Sequence, residues 1–219
     1  MTQNELSLLE SELKRCTCYL EFGSGNSTRM AARTASILRI DSVESDPEFF
    51  GREVATDSAV RQAVAGGRLV PHFPYIGKTQ DWGHPTDSSC EQLWPDYSVG
   101  VFAGHRDWDL VLVDGRFRVA CGLSVFLTLP GSTRVLVHDF SWRRQYRRLL
   151  RYADIVSRVD SFVLLQRRAN FDRAGALRDL KTYLFLPADQ TPFQQRINGY
   201  IFNLNTARLR LRKALPISG

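Results

Sequence analysis

Apolar positions along the chain switch between a helical and an extended period. Leu6, Leu9 and Leu13 share one helical face, which predicts an amphipathic helix over residues 4–14. Residues 18–22, Cys-Tyr-Leu-Glu-Phe, predict a short strand that runs into Gly23-Ser24-Gly25-Asn26-Ser27. A helix follows from Thr28, with Ser27 or Thr28 suited to its start. Residues 37–43 predict a second strand, and Asp46-Pro47 supplies an N-cap and a first-turn proline for a helix through Phe50. Residues 68–73 predict a third strand, short or at an edge because Pro71 lacks an N–H for a ladder. Residues 74–106 carry Gly, Pro, Asp, Ser and aromatics without a lasting period, a loop of a size that is usually functional. Beyond it come a buried strand at 108–114, a helix at 116–128, a strand at 134–139 and a basic helix at 143–152. Residues 155–159 and 162–166 fit an antiparallel pair across Asp160-Ser161.

Strands alternating with helices predict a mostly parallel sheet covered on both faces. The expected organisation is one α/β domain over residues 1–168 and a basic, helical C-terminal extension over 169–219. Composition agrees: 219 residues with 43% hydrophobic and 24% charged side chains exclude disorder and collagen-like repeats. No apolar stretch approaches the roughly 20 residues that span a bilayer, and Met1-Thr2-Gln3-Asn4-Glu5 lacks a secretory layout. Cys16, Cys18, Cys90 and Cys121 do not have zinc-site spacing. Reduced thiols in a cytoplasmic protein are expected. Charge is uneven: residues 1–140 hold 13 Lys/Arg against 18 Asp/Glu, whereas residues 141–219 hold 16 against 5. That basic third is either a solvated face or a surface for an anionic partner such as RNA, a phosphorylated glycan or a membrane. Tyr183, Phe185, Phe193, Tyr200 and Phe202, interleaved in the extension, suit docking onto the main domain or base stacking.

The strongest local signal is Glu21-Phe-Gly-Ser-Gly-Asn-Ser-Thr28 between the first strand and its helix. Glycines at 23 and 25 permit a tight turn and close approach of a ligand, at the strand carboxyl ends where open parallel sheets bind ligands. A dinucleotide turn wants a third glycine where this chain has Thr28. Glu21 would repel a pyrophosphate but suits a cationic ligand with an amino-acid moiety. Glu44 ends the second strand, where an acid can accept from ribose hydroxyls. S-adenosylmethionine (SAM) therefore fits better than a nicotinamide cofactor, and an oxidoreductase ranks below.

These residues, with Ser42-Val-Glu-Ser-Asp46 and Asp109-Leu-Val-Leu-Val-Asp-Gly115, resemble the successive motifs of class I SAM-dependent methyltransferases. Asp81-Trp-Gly-His-Pro85 and Val113-Asp-Gly-Arg-Phe-Arg-Val-Ala-Cys121 resemble a little-characterised bacterial group of such proteins. The similarity spans about residues 18–168. It implies a Rossmann-like, doubly wound, seven-stranded sheet with the last strand antiparallel. It also implies cofactor contacts from Glu21, Gly23, Ser24, Gly25, Ser27 and Thr28 around the methionine part. Glu44 and Ser45 would lie at the ribose, and Asp81 and Trp82 on the adenine side.

Asp114 and Asp139 end two neighbouring strands and should share one cleft. Methyl transfer from a sulfonium needs an aligned acceptor, a base if the acceptor is a hydroxyl, and screened charge. Asp114, Asp139 and His138 are the candidates for base and orientation, although His138 and Asp139 diverge if the strand continues through them. Arg116 and Arg118 are either solvated or bind a carboxylate or phosphate on the acceptor. A divalent cation is possible but not favoured, because Phe140 stands where cation-dependent O-methyltransferases place Asn. Cys121 lacks a preceding proline, and no Asp/Asn-Pro-Pro-Tyr/Phe string is present, which disfavours DNA bases as acceptors. The expected function is O-methylation of a small molecule or glycan. The alternative is a non-catalytic module of the same fold that binds RNA or another anion through the Arg-rich third.

Overall fold

The computed structural model describes residues 1–190; the side chain of Asp81 and residues 191–219 lie outside the described set. Seven strands form the main sheet: β1 Cys18–Phe22, β2 Arg39–Val43, β3 Leu69–His72, β4 Leu110–Val113, β5 Arg134–Val137, β6 Ala153–Val159 and β7 Phe162–Arg167. Their order is 3-2-1-4-5-7-6. β7 alone runs against the others, paired antiparallel with both β5 and β6. After β3 the chain crosses back to place β4 on the other side of β1, so the strand order reverses at β1 and the β1 and β4 turns meet at a topological switch point, where such sheets bind ligands.

Period-two alternation divides the central strands between two cores. Leu20, Phe22, Val111, Val113, Val135 and Val137 face one side, and Tyr19, Ile40, Leu110, Leu112 and Leu136 the other. Helix α1 (Gln3–Lys14), α2 (Asn26–Arg33) and α3 (Ser58–Ala65) pack on the second side. The short helix α4 (Pro95–Val99), α5 (Arg118–Thr128) and α6 (Arg173–Tyr183) cover the first.

Four local differences from the sequence expectation have identifiable causes. Helix α2 begins at Asn26 rather than Thr28, because the Thr28 hydroxyl reaches back to accept from the Gly25 N–H at 2.8 Å. Helix α3 is capped by Asp57, which accepts from the Ala59 N–H, and buries only Val60 and Ala63, too brief a stripe to stand out. Residues 144–151 wind as 3₁₀ rather than α-helix. Residues 74–106 are not a surface loop: Trp94, Tyr97, Val101 and Phe102 enter the core, and Lys78 to Thr86 fold into a small hairpin.

The compact unit runs from Met1 to Asp189. Ala176, Leu180 and Tyr183 of α6 join the core. Asp189 accepts from the N–H groups of Arg118 at 3.1 Å and Val119 at 2.8 Å, capping α5 from far along the chain. Burial pushes its carboxyl up to about 6. Replacing Asp189 with Ala should cost about 1–2 kcal/mol in urea unfolding. Asp189→Asn, which keeps an accepting oxygen, should retain most of that stability at pH 8. Equal losses in both variants would refute the capping role.

Candidate functional site

Glu21, next to last in β1, has its side chain fully buried. Its Oε2 accepts from Ser27 Oγ at 2.7 Å and Tyr19 Oη at 3.2 Å; its Oε1 accepts from Ser42 Oγ at 2.7 Å and from the Thr28 hydroxyl. An ionised carboxylate has about four accepting positions. All are taken by protein hydroxyls, those of Ser27 and Thr28 among them. Glu21, Ser27 and Thr28 lie behind the turn and fix its shape. Burial pushes the Glu21 carboxyl up to about 7, against hydroxyl contacts that favour the ionised form.

In front of them the turn is backbone. Gly23 has φ +95°, and a Cβ there would lie 2.7 Å from Gly115 N. A Cβ on Gly115 would lie 2.0 Å from the Tyr97 hydroxyl. The two glycine turns interlock, and no larger residue fits either position. A Cβ on Gly25, by contrast, would meet nothing within 4 Å. Beside it Gly25, Asn26, Arg29 and Phe49 help to line a hollow of about 320 Å³. The Ser24 N–H donates to Glu44 Oε2 at 3.2 Å, joining the turn to the end of β2, while Ser24 Oγ pairs with Ser42 Oγ at 2.7 Å. Glu44 Oε1 accepts from the Asp46 N–H at 3.1 Å and from Ser45 Oγ at 3.3 Å. Burial raises the Glu44 carboxyl. The Ser45 N–H also bonds this carboxylate, which is half-buried, and the long Ser45 Oγ contact is easily exchanged.

The hairpin tip reaches over this cleft. Gly83, at φ +71°, is placed so that a Cβ would meet Ser45 Oγ at 3.5 Å and Arg116 Cγ at 3.8 Å. At Trp82 the tip bends through left-handed backbone at φ 63°, and the residue is 87% exposed. His84 Nε2 accepts from Arg116 Nη1 at 2.5 Å. Burial and the charges of Arg116, Arg143 and Arg118 hold the imidazole down at about 4, so it stays neutral.

Asp114, His138 and Asp139 do converge. β5 stops at Val137 and Asp139 adopts φ 58°, so the two consecutive side chains do not diverge as they would in a strand. Asp114 Oδ1 contacts His138 Nδ1 at 2.8 Å and Arg118 Nη2 at 3.2 Å. Arg118 Nη1 also reaches Asp139 Oδ2 at 3.2 Å. Burial pulls the His138 imidazole down, but the Asp114 hydrogen bond and the Asp114 and Asp139 charges outweigh it and leave it raised. Glu5 of α1 lies 3.5 Å from His138 Nε2 and accepts from Ser161 N and Oγ. Sequence reading missed Glu5, His84 and Tyr97 as parts of the site. Only Glu5 carried a local signal, as the acid of the Thr2-x-x-Glu5 capping box.

One ligand atom each from Asp114, His138 and Asp139 lies within 4.8 Å of the others. The donor set suits a divalent cation poorly, since the buried Arg118 guanidinium already bonds both carboxylates and adds a like charge. Cys121 is buried, with its thiol pushed up by burial, and does not behave as a nucleophile. Within the basic run, Arg148 and Arg151 face Asp179, and Arg167 and Arg173 bond carbonyls near the end of α5. Residues 191–219, with the remaining aromatic and basic positions of the extension, lie outside the described residues. Among the described residues no helix is long and apolar enough to cross a membrane.

No family model matches the chain, and no curated protein does. Solved structures do. A methyltransferase-like protein from Silicibacter pomeroyi is 27% identical over 84% of this chain and 95% of its own, with a TM-score of 0.72. The N-methyltransferase NodS from Bradyrhizobium japonicum is 12% identical over 76% of this chain and 99% of its own, with a TM-score of 0.45. By sheet order, antiparallel last strand and the first of these likenesses, the chain has the Rossmann-like fold of the class I SAM-dependent methyltransferases.

Two outcomes follow from this geometry. Folded Glu21 keeps its proton up to about pH 7, whereas a free glutamate releases it near 4.5. The folded state therefore binds more protons in between, and this group's contribution to stability is full below about 4.5 and lost as pH rises through 7. Denaturant unfolding at pH 5 and pH 8 should show a larger fall for wild type than for Glu21→Gln. Separately, millimolar magnesium or manganese should leave the melting temperature and nucleoside affinity unchanged. A saturable rise in either would restore the metal reading.

Proposed function

We propose that the protein is a SAM-dependent methyltransferase that acts on an oxygen of a small-molecule or glycan acceptor. The reading rests on Glu44: a half-buried carboxylate tied by the Ser24 N–H to the glycine turn, at the switch point of a sheet of this order. Gly25 leaves the open space beside it that a nucleoside needs. When bound, SAM supplies a methyl group on a sulfonium for direct displacement.

The chain's own part is placement and proton handling. Gly23 and Gly25 let the cofactor lie against backbone, with Ser24 at the turn. Glu44 accepts from the ribose hydroxyls, with Ser45 beside it, and Asp81 is retained as an adenine-side contact. At the acceptor side, His138 and Arg118 both meet Asp114 Oδ1. Among the described residues no hydrogen bond reaches Asp114 Oδ2, which is the atom assigned to take the acceptor's hydroxyl proton. His138 and Asp139 orient that carboxylate, and Arg118 screens the charge. Four free cysteines suit a reducing cytoplasmic setting.

Calorimetry with S-adenosylhomocysteine tests the reading directly. Wild type should bind it with a one-to-one stoichiometry. Glu44→Gln should weaken binding roughly tenfold or more, the worth of a hydrogen bond to a charged group. No binding to wild type would overturn the proposal.

A further inference from the structure

Arg116 is the least compensated charge in the molecule's interior. It is only 9% exposed, its Nε–H is buried without a partner, and its Nη1 donates to a neutral histidine. Among the described residues no carboxylate forms an ion pair with it, and burial with the neighbouring Arg118 charge lowers its hold on the proton. By contrast Arg118, two residues on, bonds two carboxylates. A buried guanidinium without a counter-ion costs several kcal/mol, and groups so unfavourably placed cluster at sites that supply the missing partner from a ligand.

Direction identifies the partner. The Arg116 side chain passes Gly83 at Cγ, and the charged and phenolic groups that act on it are Arg118, Tyr97, Tyr146 and Asp189, of which Arg118 stacks over Tyr146 and bonds Asp114 and Asp139. Those groups stand with Asp114, His138 and Asp139 at the ends of β4 and β5. Arg143 adds a third guanidinium that acts on His84. We propose that Arg116, assisted by His84 and Arg143, is the subsite for an oxyanion on the methyl acceptor, so the acceptor carries a carboxylate or a phosphate. This rests on the methyltransferase reading and narrows its substrate class. Planar guanidinium donors match either anion.

The test uses the full chain and two probes, inorganic phosphate and acetate, followed by calorimetry and melting temperature, each with and without S-adenosylhomocysteine. At least one anion should bind wild type saturably, and the stronger of the two reports whether a phosphate or a carboxylate is preferred. Arg116→Met should weaken that anion at least tenfold and leave S-adenosylhomocysteine affinity within twofold. It should also raise the melting temperature of the ligand-free protein, because it removes an uncompensated buried charge, an effect a purely structural arginine would not give. Arg116→Lys, should the Met variant fail to fold, keeps the charge without the planar fork and should still lose several-fold in anion affinity. The proposal is overturned if neither anion binds wild type, or if the variants bind it as wild type does. It is also overturned if Arg116→Met weakens S-adenosylhomocysteine as much as the anion, for the guanidinium then serves the cofactor's own carboxylate. If wild type binds the anion but no S-adenosylhomocysteine, the subsite stands and the methyltransferase reading fails.

Discussion

The candidate site depends on one buried carboxylate. Glu21 gathers hydroxyls from β1, β2 and the first turn of α2 onto two oxygen atoms with no solvent access. An unsatisfied carboxylate there would cost several kcal/mol, so each hydroxyl is committed and with it the backbone that carries it. The consequence is a rigid turn whose front is peptide rather than side chain. Ser42, which donates to Glu21 and meets Ser24, extends the same network toward Glu44.

Close backbone approach completes the arrangement. The interlock of Gly23 and Gly115, with the Tyr97 hydroxyl against the second, brings the ends of β1 and β4 within contact distance. Tyr97 Oη accepts from the Arg116 N–H at 3.2 Å, so the segment read as loop supplies the wedge that sets the β4 turn. From there the chain enters α5, whose start is capped by Asp189 and whose first residue, Arg118, reaches both strand-end carboxylates. Cofactor turn, charged cluster and distal segment are thus one mechanical unit, and a change in the cap would be felt at Asp114.

Much of this was legible in the chain. β1 has the predicted bounds, the turn sits where GxG placed it, Pro71 lies on edge strand β3, and the Asp160-Ser161 turn joins β6 to β7. These depend on local pattern and backbone chemistry, which sequence reports directly. That Glu21, Ser27 and Thr28 bond one another was not legible, because proximity in sequence to a turn does not reveal whether a side chain points to its front or its back. The exposure of Trp82 was not legible either, since a left-handed residue at a hairpin tip reverses the side expected from extended chain. Glu5 and Asp189 gave no hint of their reach, because their partners lie 70 residues or more away.

By itself the sequence determined the fold class, the order of elements and the position of the glycine turn, because periodicity and glycine geometry are properties of short segments. Only the tertiary structure decided which acids are buried among hydroxyls and which meet arginines. It alone paired Arg118 with two carboxylates and left Arg116 with none. The physical reason is that desolvation and charge pairing depend on distances between segments far apart in the chain, which the order of residues constrains but does not express.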